Sequence, residues 1–462
     1  MPPPGEPVVA AGSPQGSLQR LIGVRGLALT GINTTVGAGI FGLPALVAAD
    51  MGASAPIGYI VTALLFFCIV LCFAEAGSRV ASAGGLYAYS NAAFGPFVGS
   101  FVGTLLWFAN GALSNAAVAV LMVNGLSLAF PALGQPLGRS ITLLVVYASL
   151  AAVNVRGLKL GLRVTEGITV LKLLPLILLA VVGLITLQWS QIPVPQLPTT
   201  GQLGRGIVLL TFTFMGIETA LSPSAEIRDP TRVVPRGLAL ALLGVTLLYF
   251  SLQLVAQGAL GEGLATATDA PLASTAAIVL GKWGTVLMLA AGVVCMAGVL
   301  PGDMLCTPRV LYAMGRDGLL PSGLGNVHPQ FNTPAAAIIT YCVVCAVLAL
   351  SGTFKALAIL AAAGTLVMYL FTALAVLVLR KRDTNIGKPP FVIPGGPAIP
   401  LIAAAAIVAV LSTLAWKELA AIGVMLAASS VPFAWRAARS QGGRAAGCSE
   451  PRASSRLSIQ AP

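Results

Sequence analysis

Two hydrophobic segments carry residues suited to ligand chemistry, because each interrupts an apolar stretch with matched helix-weakening residues. The segments are TTVGAGIFGLP at 34–44 and TFMGIETALSP at 213–223. In both, a Thr precedes a Gly by three residues and a Pro follows that Gly by seven. Backbone that opens inside a membrane is tolerated only where it lines an enclosed or wet cavity. Such a pair in two corresponding halves is typical of the substrate site of a secondary transporter.

Opened backbone offers both donors and acceptors at one place. The GAG triplet at 37–39 leaves N–H groups unpaired at the start of an outer half-helix, which we expect near Phe41. These donors and the positive helix end favour a carboxylate. The breaks also leave carbonyl acceptors suited to an ammonium group, at Thr34, Thr35, Phe214 and Met215 beside Gly216. Both features together fit the zwitterionic head of an amino acid, whereas the alternative is simple close packing of small residues.

Ionisable residues inside apolar segments are expensive, so a functional role is the default interpretation. Glu218 lies at the second break, where it can bind a cationic substrate, carry a proton or hold the opened backbone. Lys172 and Asp303 each lie about nine residues from an inner helix end, about 13 Å deep and level with Asn33. This predicts a second polar locus, with snorkelling of Lys172 toward the cytoplasm as the alternative. Four residues of span 3 are candidates for lining the pocket or for ordinary interhelical contacts: Trp107, Asn110, Ser114 and Asn115.

The composition indicates the elements that must position these residues. Hydrophobic residues make up 57% of the 462-residue chain and charged residues 9%, against roughly 25% charged in a soluble domain. We therefore predict an all-α polytopic membrane protein with about 12 transmembrane helices, and a short apolar helix around 271–281 before the eighth. The predicted spans are 24–50, 55–78, 96–129, 139–155, 163–187, 204–227, 236–260, 284–313, 334–351, 355–379, 397–414 and 417–435.

The distribution of basic residues predicts the orientation. If the N-terminus is cytoplasmic, most of the 26 basic residues fall in inner segments. The outer segments then hold only Arg139, Arg205, Lys282, Lys355 and Lys417. The positive-inside rule thus predicts that both termini are cytoplasmic, in a protein of the plasma (cell inner) membrane. The net charge of +12 follows from this distribution and does not indicate nucleic-acid binding.

The two interrupted segments fall in spans 1 and 6, an offset of five. Because an odd number of spans reverses the second copy, spans 1–5 and 6–10 are predicted to be two inverted five-helix repeats with broken helices 1 and 6. The predicted organisation is a disordered N-terminal tail at 1–23, repeats at 24–200 and 201–383, helices 11 and 12 at 384–435, and a disordered basic C-terminal tail at 436–462.

Four stretches resemble the amino acid–polyamine–organocation (APC) superfamily of permeases. They are GAGIFGLP at 37–44, AEAGSRVASAGGLYAYSNAAFGPFVG at 74–99, FTFMGIETALSPSAEIRDPTRVVPRG at 212–237 and RVLYAMGRDGLLP at 309–321. The resemblance implies a fold of two inverted five-helix repeats and a central site for amino acids or related amines.

Site residues carry over by motif position. The resemblance implies that the segment Gly37, Ala38, Gly39 and Ile40 holds the substrate carboxylate. It places the α-amino group near the carbonyls of Thr35, Phe212, Thr213 and Met215. The arginine/agmatine antiporters of the family have Trp where Phe212 stands, a departure that argues against that substrate. In one group of these permeases a span 5 lysine replaces the sodium ion of sodium-coupled relatives. Lys172 resembles it, with Asp303 as a candidate partner.

The function predicted from these features is secondary active transport of amino acids by alternating access, with protons as coupling ion through Lys172, Asp303 or Glu218. The alternative is an exchanger of cationic amino acids or polyamines that uses Glu218. The chain has no H-E-x-x-H, G-x-S-x-G or Walker-type motif, which argues against an enzyme or a nucleotide-driven pump. We expect no cofactor and no metal. The expected partners are the amino acid, protons and the lipid bilayer.

Overall fold

The computed structural model describes residues 22–80, 85–157, 162–186, 196–221, 227–382 and 390–447. Regular structure in these ranges is helical, apart from one isolated β-bridge between Ile22 and Ile227. Of the predicted tails at 1–23 and 436–462, residues 1–21 and 448–462 lie outside the described residues, as does the matched Pro223 of the second segment.

The described residues form sixteen α-helices, whose positions follow the apolar stretches of the sequence. Their bounds are α1 Val24–Thr35, α2 Gly39–Met51, α3 Ala55–Arg79, α4 Gly85–Phe94, α5 Pro96–Leu105, α6 Ser114–Ala129, α7 Pro136–Val155, α8 Leu162–Thr186, α9 Thr200–Phe214, α10 Pro230–Leu260, α11 Pro271–Val279, α12 Gly281–Arg316, α13 Ala335–Ser351, α14 Phe354–Leu379, α15 Ala398–Leu411 and α16 Trp416–Gly447. A π-helical stretch, Leu106–Leu113, joins α5 to α6 and is called the π segment below.

Seven helical stretches among the described residues are long and apolar enough to cross a bilayer. They are Gly39–Arg79, Pro96–Ala129, Pro136–Val155, Thr200–Leu221, Thr231–Thr266, Gly281–Arg316 and Phe354–Leu379. Three shorter apolar helices accompany them, at Leu171–Thr186, Ala335–Ser351 and Ala398–Leu411. Helices satisfy their backbone hydrogen bonds internally, which is what a hydrocarbon environment demands. The predicted all-helical, multi-pass character is therefore confirmed.

Two helices depart from the sequence-based prediction. α4 is not predicted at all, because its ten residues are too few to span a bilayer and its small residues give a weak apolar signal. α16 continues to Gly447, past the predicted start of a tail at 436. The sequence there is rich in Ala and Arg, which are strong helix formers.

Both predicted breaks are present. α1 ends at Thr35 and α2 begins at Gly39, two residues before the expected start near Phe41. α9 ends at Phe214, and a short 3₁₀ helix follows from Ile217. Between these two elements Gly216 has φ +102°, a left-handed conformation that glycine adopts without the steric cost other residues incur.

The packing of the helices brings the two broken ones together. α2 packs against α9, and α1 packs against both α10 and the 3₁₀ helix that follows α9. α14 packs against α3, α9 and the π segment. The two breaks therefore lie beside each other in the interior, with α14 and the π segment as neighbours.

A buried carboxylate joins the ends of α3 and α14. Glu75 is fully buried and accepts hydrogen bonds from Arg380 Nε at 2.7 Å and Nη2 at 2.6 Å. It also accepts from Arg79 Nε at 3.1 Å and from the Ile393 N–H at 3.0 Å. The two arginines and the Ile393 N–H offset the desolvation cost of this buried charge, and the bond from Ile393 fixes the segment before α15 to this end of the bundle.

Candidate substrate site at the two helix breaks

The two breaks touch each other through glycines. A Cβ placed on Gly216 would lie 2.5 Å from the carbonyl oxygen of Thr34. A Cβ placed on Gly39 would lie 2.8 Å from Thr213 Cα. Both distances are shorter than any side chain permits, so these glycines are required by the contact between the two halves.

Gly37 differs from the other two glycines because a Cβ there would make only ordinary van der Waals contacts. A Cβ there would have no neighbour closer than the Thr35 carbonyl oxygen at 3.8 Å and Val299 Cγ2 at 4.0 Å. The sequence pattern predicts Gly37 and Gly39 as equal parts of a carboxylate site. The structure separates them, since a Cβ would collide at Gly39 and would be accommodated at Gly37.

Tyr249 of α10 bridges the two breaks. Its hydroxyl lies 3.0 Å from the Thr35 carbonyl oxygen and 3.3 Å from that of Thr213. The side chain is fully buried, so the hydroxyl exchanges no bonds with bulk water. The Thr35 carbonyl, which the sequence predicts as an acceptor for an ammonium group, is therefore already occupied. A tyrosine inside an apolar run was the only sequence signal for this residue.

Unpaired backbone groups remain at both breaks. In the described part of the chain, the N–H groups of Ala38, Gly39 and Ile40 make no hydrogen bond. The carbonyl groups of Thr34, Phe214 and Met215 likewise accept none in the described ranges. Donors thus stand at the positive N-terminal end of α2, where an anion is stabilised. The acceptors lie at both breaks, Thr34 at the first and Phe214 with Met215 at the second, and are suited to an ammonium group.

Most predicted side chains at the breaks point into the protein core. Ile40 and Phe214 are fully buried, and Ala38 is nearly so. The Phe214 ring packs on Phe66 and Tyr249, with centroid distances of 5.3 and 5.6 Å. Only the backbone of these residues therefore reaches the site. The side chain of Thr213 is buried too, and its hydroxyl has no hydrogen-bond partner.

Glu218 holds the opened backbone at the second break. Its Oε2 accepts from the Gly216 N–H at 3.0 Å, and its Oε1 accepts from Asn110 Nδ2 at 3.3 Å. Tyr369 lies beside the carboxylate, although its hydroxyl is outside hydrogen-bonding geometry. In the part of the chain that the structure describes, Glu218 forms no salt bridge.

Asn110, which donates to the Glu218 carboxylate, belongs to the π segment. The same Asn110 amide lies 3.4 Å from Thr365 Oγ1 on α14, so it links three helices around the second break. Trp107, also in the π segment, has a buried indole N–H with no partner among the described residues. π-helical turns are rare and occur often at functional sites. The sequence predicts both side chains as candidates for lining the pocket but does not indicate that the helix is π-helical there.

Lys172 binds the first break directly. Its ammonium donates to the carbonyl oxygens of Asn33 at 2.6 Å and Val36 at 2.7 Å. The residue is 5% exposed, so the ammonium is turned into the protein and does not snorkel to a helix end. In an unbroken helix these carbonyls would accept from the N–H groups four residues on, at Gly37 and Ile40. A charged side chain from α8 replaces those bonds.

Asp303 is not the partner of Lys172. Its carboxylate accepts from Asn115, Tyr341 and Thr307. Cys295, eight residues earlier on α12, lies 4.0 Å from the Val36 oxygen that Lys172 binds, so Asp303 is about 12 Å farther along the helix. The expected pairing of Lys172 with Asp303 at one depth is wrong, because depth counted along the chain ignores helix tilt and facing.

One side of the breaks is open. On α12, the face that meets the first break carries Cys295 and Val299. Continuing along this face at helical spacing, Gly302, Cys306 and Arg309 are all exposed. On α1, the residues Gly26, Thr30 and Thr34 are exposed at the same spacing. These two exposed stripes line an approach to the site from the end where α1 begins.

The other side of the breaks is closed. Phe354 of α14 is buried against Gly42 of α2, and its ring packs on that of Phe212 at 5.9 Å. Farther out, Lys355 forms a salt bridge with Asp50 at 3.3 Å. Phe212 therefore belongs to the closed side, where its ring helps to cover the site.

Comparisons with known proteins indicate the family of the chain. The family model described as "Amino acid permease" matches residues 22–434. The branched-chain amino acid permease BcaP of Bacillus subtilis (strain 168) is 27% identical over 429 residues, covering 88% of this chain and 91% of that protein. The methylthioribose transporter of the same organism is 28% identical over 419 residues, covering 86% and 88%.

A plant relative is also similar. The vacuolar cationic amino acid transporter 2 of Arabidopsis thaliana is 29% identical over 383 residues, which cover 79% of this chain and 60% of that protein. The family match spans nearly all the described helices, both breaks included. The chain therefore belongs to the amino acid permease family of the amino acid–polyamine–organocation superfamily.

Proposed function

We propose that this protein is a secondary active transporter that moves amino acids across the plasma membrane by alternating access. The observation that carries the proposal is the pair of touching breaks, where backbone donors and backbone acceptors are both left unpaired. An amino acid head is a carboxylate and an ammonium a few ångströms apart, so it satisfies both sets at once.

The proposed topology has twelve spans with cytoplasmic termini. α1 with α2 form the first span, and α9 with the 3₁₀ helix form the sixth. The repeats at 24–200 and 201–383 are inverted, and helices 11 and 12 lie outside them at 384–435. In this orientation the open side of the breaks faces the cytoplasm, and the side closed by Phe212 and Phe354 faces outward.

The proposed substrate contacts are mainly backbone. The N–H groups of Ala38, Gly39 and Ile40 bind the carboxylate, with Gly37 leaving room for it. The carbonyls of Thr34, Phe214 and Met215 accept from the ammonium group. Side-chain selection then falls to groups that surround this head, among them Trp107 and Phe212.

We infer that the substrates are neutral amino acids, because Glu218 is engaged by Gly216 and Asn110. A carboxylate that holds the backbone open has a use independent of substrate charge. The bacterial relative named for branched-chain amino acids agrees with this inference. The alternative is exchange of cationic amino acids, which the plant relative's name favours and which Glu218, lacking a salt bridge in the described residues, is placed to support.

The proposed coupling ion is the proton, carried by Lys172. Charge-assisted hydrogen bonds are about twice as strong as neutral ones. A protonated Lys172 therefore clamps α8 to the first break, and loss of the proton weakens that clamp. Movement of the proton off Lys172 thus frees α1 to change its position relative to α8 and α12.

The experiment is uptake into proteoliposomes that contain the purified protein, with a panel of labelled amino acids and with or without an imposed pH gradient. We expect saturable uptake of neutral amino acids, concentrated only when the gradient is present. The matched variant is Lys172→Ala, which should keep exchange of internal for external substrate and lose gradient-driven accumulation. Absence of uptake for every amino acid would refute the transport function, and accumulation by Lys172→Ala would refute the role of Lys172 alone.

A further inference from the structure

A second ionisable group stands apart from the substrate site, in a cluster assembled from four helices. Asp303 Oδ2 accepts from Asn115 Nδ2 at 2.7 Å and from the Tyr341 hydroxyl at 2.6 Å. Its Oδ1 accepts from Thr307 Oγ1 at 2.5 Å. The Tyr147 hydroxyl donates to Asn115 Oδ1 at 3.1 Å. These five residues, from α6, α7, α12 and α13, are called the Asp303 cluster.

The cluster contains a carboxylate but no cation. Within 4.0 Å of Asp303 there is no lysine or arginine in the described ranges. Three neutral donors satisfy hydrogen bonds but cancel no net charge, and an uncompensated charge inside a membrane protein is expensive. A purely structural junction of four helices is built equally well from amides and hydroxyls. The carboxylate therefore indicates that a positive charge binds here at some stage.

The donors suit a proton better than a larger cation. Thr307 and Tyr341 carry hydroxyl groups, which both donate and accept. If Asp303 gains a proton on Oδ1, the Thr307 hydroxyl can rotate and accept it, while Asn115 and Tyr341 go on donating to Oδ2. The cluster thus keeps hydrogen bonds in both protonation states of Asp303, and those from Asn115 and Tyr341 are weaker when the carboxyl group is neutral.

The cluster is in contact with the π segment. A Cβ placed on Gly111 would lie 2.5 Å from Thr307 Cγ2 and 3.0 Å from the Tyr341 hydroxyl oxygen. Asn115 belongs to the first turn of α6, directly after the π segment ends. The residue directly before Gly111 in the π segment is Asn110, which donates to Glu218 at the second break. One stretch of irregular helix therefore touches the Asp303 cluster and the substrate site.

Asp303 lies next to exposed residues of the open side. Its neighbours Gly302 and Cys306 on α12 are exposed on the stripe that leads to the site. The other titratable groups that face Asp303 are Tyr147 on α7, Tyr341, Cys342 and Cys345 on α13, and Cys306 on α12, which itself lies near Arg309. The phenols and thiols are uncharged at neutral pH, and α6 and the π segment contribute no titratable group.

We propose that Asp303 is a proton-binding site which acts on the substrate site through the π segment, independently of Lys172. A proton on Asp303 removes the charge from three hydrogen bonds and weakens the hold on Asn115. The C-terminal end of the π segment is then freed, and Asn110 shifts relative to Glu218. The inference rests on the proposed transport function, and it adds a pH response to substrate exchange that does not require a pH gradient.

The test is exchange of labelled for unlabelled substrate in proteoliposomes at equal pH on both sides, across a series of acidic to neutral pH values. We expect the wild-type rate to change with pH, and Asp303→Asn to give a flatter profile from which this titration is missing. Asp303→Glu should restore the pH response. The matched control is Glu262→Gln, an exposed acid outside the site, which should keep the wild-type profile.

A second variant keeps the inference testable if Asp303→Asn does not fold. Tyr341→Phe removes one donor to the charged carboxylate and should move the midpoint of the profile upward by about one pH unit. A wild-type profile in Asp303→Asn, or an unmoved midpoint in Tyr341→Phe, would overturn the proposal. Absence of exchange in the wild-type protein would instead overturn the proposed function.

Discussion

The two helix breaks have the same residue spacing but differ in what they expose. The first, at Val36 to Ala38, exposes N–H groups together with the Thr34 carbonyl and is bound by Lys172 from another helix. The second, at Met215 and Gly216, exposes carbonyls and is held by Glu218 from its own chain segment. Matched glycines thus open both helices, while different neighbours decide which backbone groups each break leaves unpaired. A shared motif predicts where backbone opens and not what the opening binds.

The largest effect is expected where the breaks meet. Gly216→Val forces a positive φ on a branched residue and places a Cβ against the Thr34 carbonyl. The conformational strain alone costs about 1–3 kcal/mol, and the overlap adds to it. We expect loss of transport together with a clearly lower melting temperature in detergent. Normal thermal stability would show that the contact between the breaks does not hold the fold together.

A smaller effect on stability, with full loss of binding, is expected at Gly37. The Cβ that Gly37→Val adds would make only van der Waals contacts, the nearest at 3.8 Å, so the fold should keep its melting temperature while the added side chain fills the proposed carboxylate position. Gly39→Val is the contrasting variant, because it collides with Thr213 and should lose both. Near-normal substrate binding by Gly37→Val, measured by ligand-induced thermal stabilisation, would remove the carboxylate site from this break.

Glu218→Gln tests whether the second break distinguishes cationic from neutral substrates. The amide keeps the shape of the carboxylate and loses its charge, so the hold on Gly216 weakens by about 1–2 kcal/mol. We expect uptake of neutral amino acids to fall several-fold. Selective loss of lysine, arginine or diamine binding, with neutral substrates unaffected, would favour the cationic exchanger instead.

The smallest effect is expected at the bridge between the breaks. Tyr249→Phe removes the hydroxyl that lies near the Thr35 and Thr213 carbonyls and leaves the ring packing on Phe214 intact. Loss of a neutral buried hydrogen bond costs about 1 kcal/mol. We expect a modest drop in melting temperature and a lower KM for substrates, because the Thr35 carbonyl becomes available to the ammonium group. An unchanged KM would mean that this carbonyl does not face the substrate.

The sequence predicts the fold well where the signal is local. Apolar runs predict the long helices, and the paired Gly and Pro residues predict both breaks. α4 is missed because its ten residues give no span-length signal. The π segment is missed because a change from four-residue to five-residue hydrogen bonding leaves no trace in residue types.

The site is predicted less completely, because its partners come from distant parts of the chain. Tyr249 reaches the breaks from α10, and Asp303 binds residues of α6 and α13. Counting residues from a helix end gives the depth of a residue in the membrane, but it does not show which neighbouring helix its side chain faces. Lys172 and Asp303 are therefore adjacent in the sequence-based prediction, although in the structure Lys172 binds backbone carbonyls of the first break and Asp303 binds side chains of α6 and α13.

The contact between Gly216 and Thr34 also bears on how this protein can vary. Every missense change at a glycine codon adds at least a Cβ, and at Gly216 that atom meets the Thr34 carbonyl oxygen at 2.5 Å. No amino-acid replacement at position 216 is therefore expected to be neutral for the fold. Gly302 lies on the exposed stripe of α12, and a Cβ placed on it would have no neighbour within 4 Å. Replacements at position 302 are therefore expected to be tolerated by the fold. Substrate range can thus diversify along the approach, while the meeting point of the two halves stays fixed.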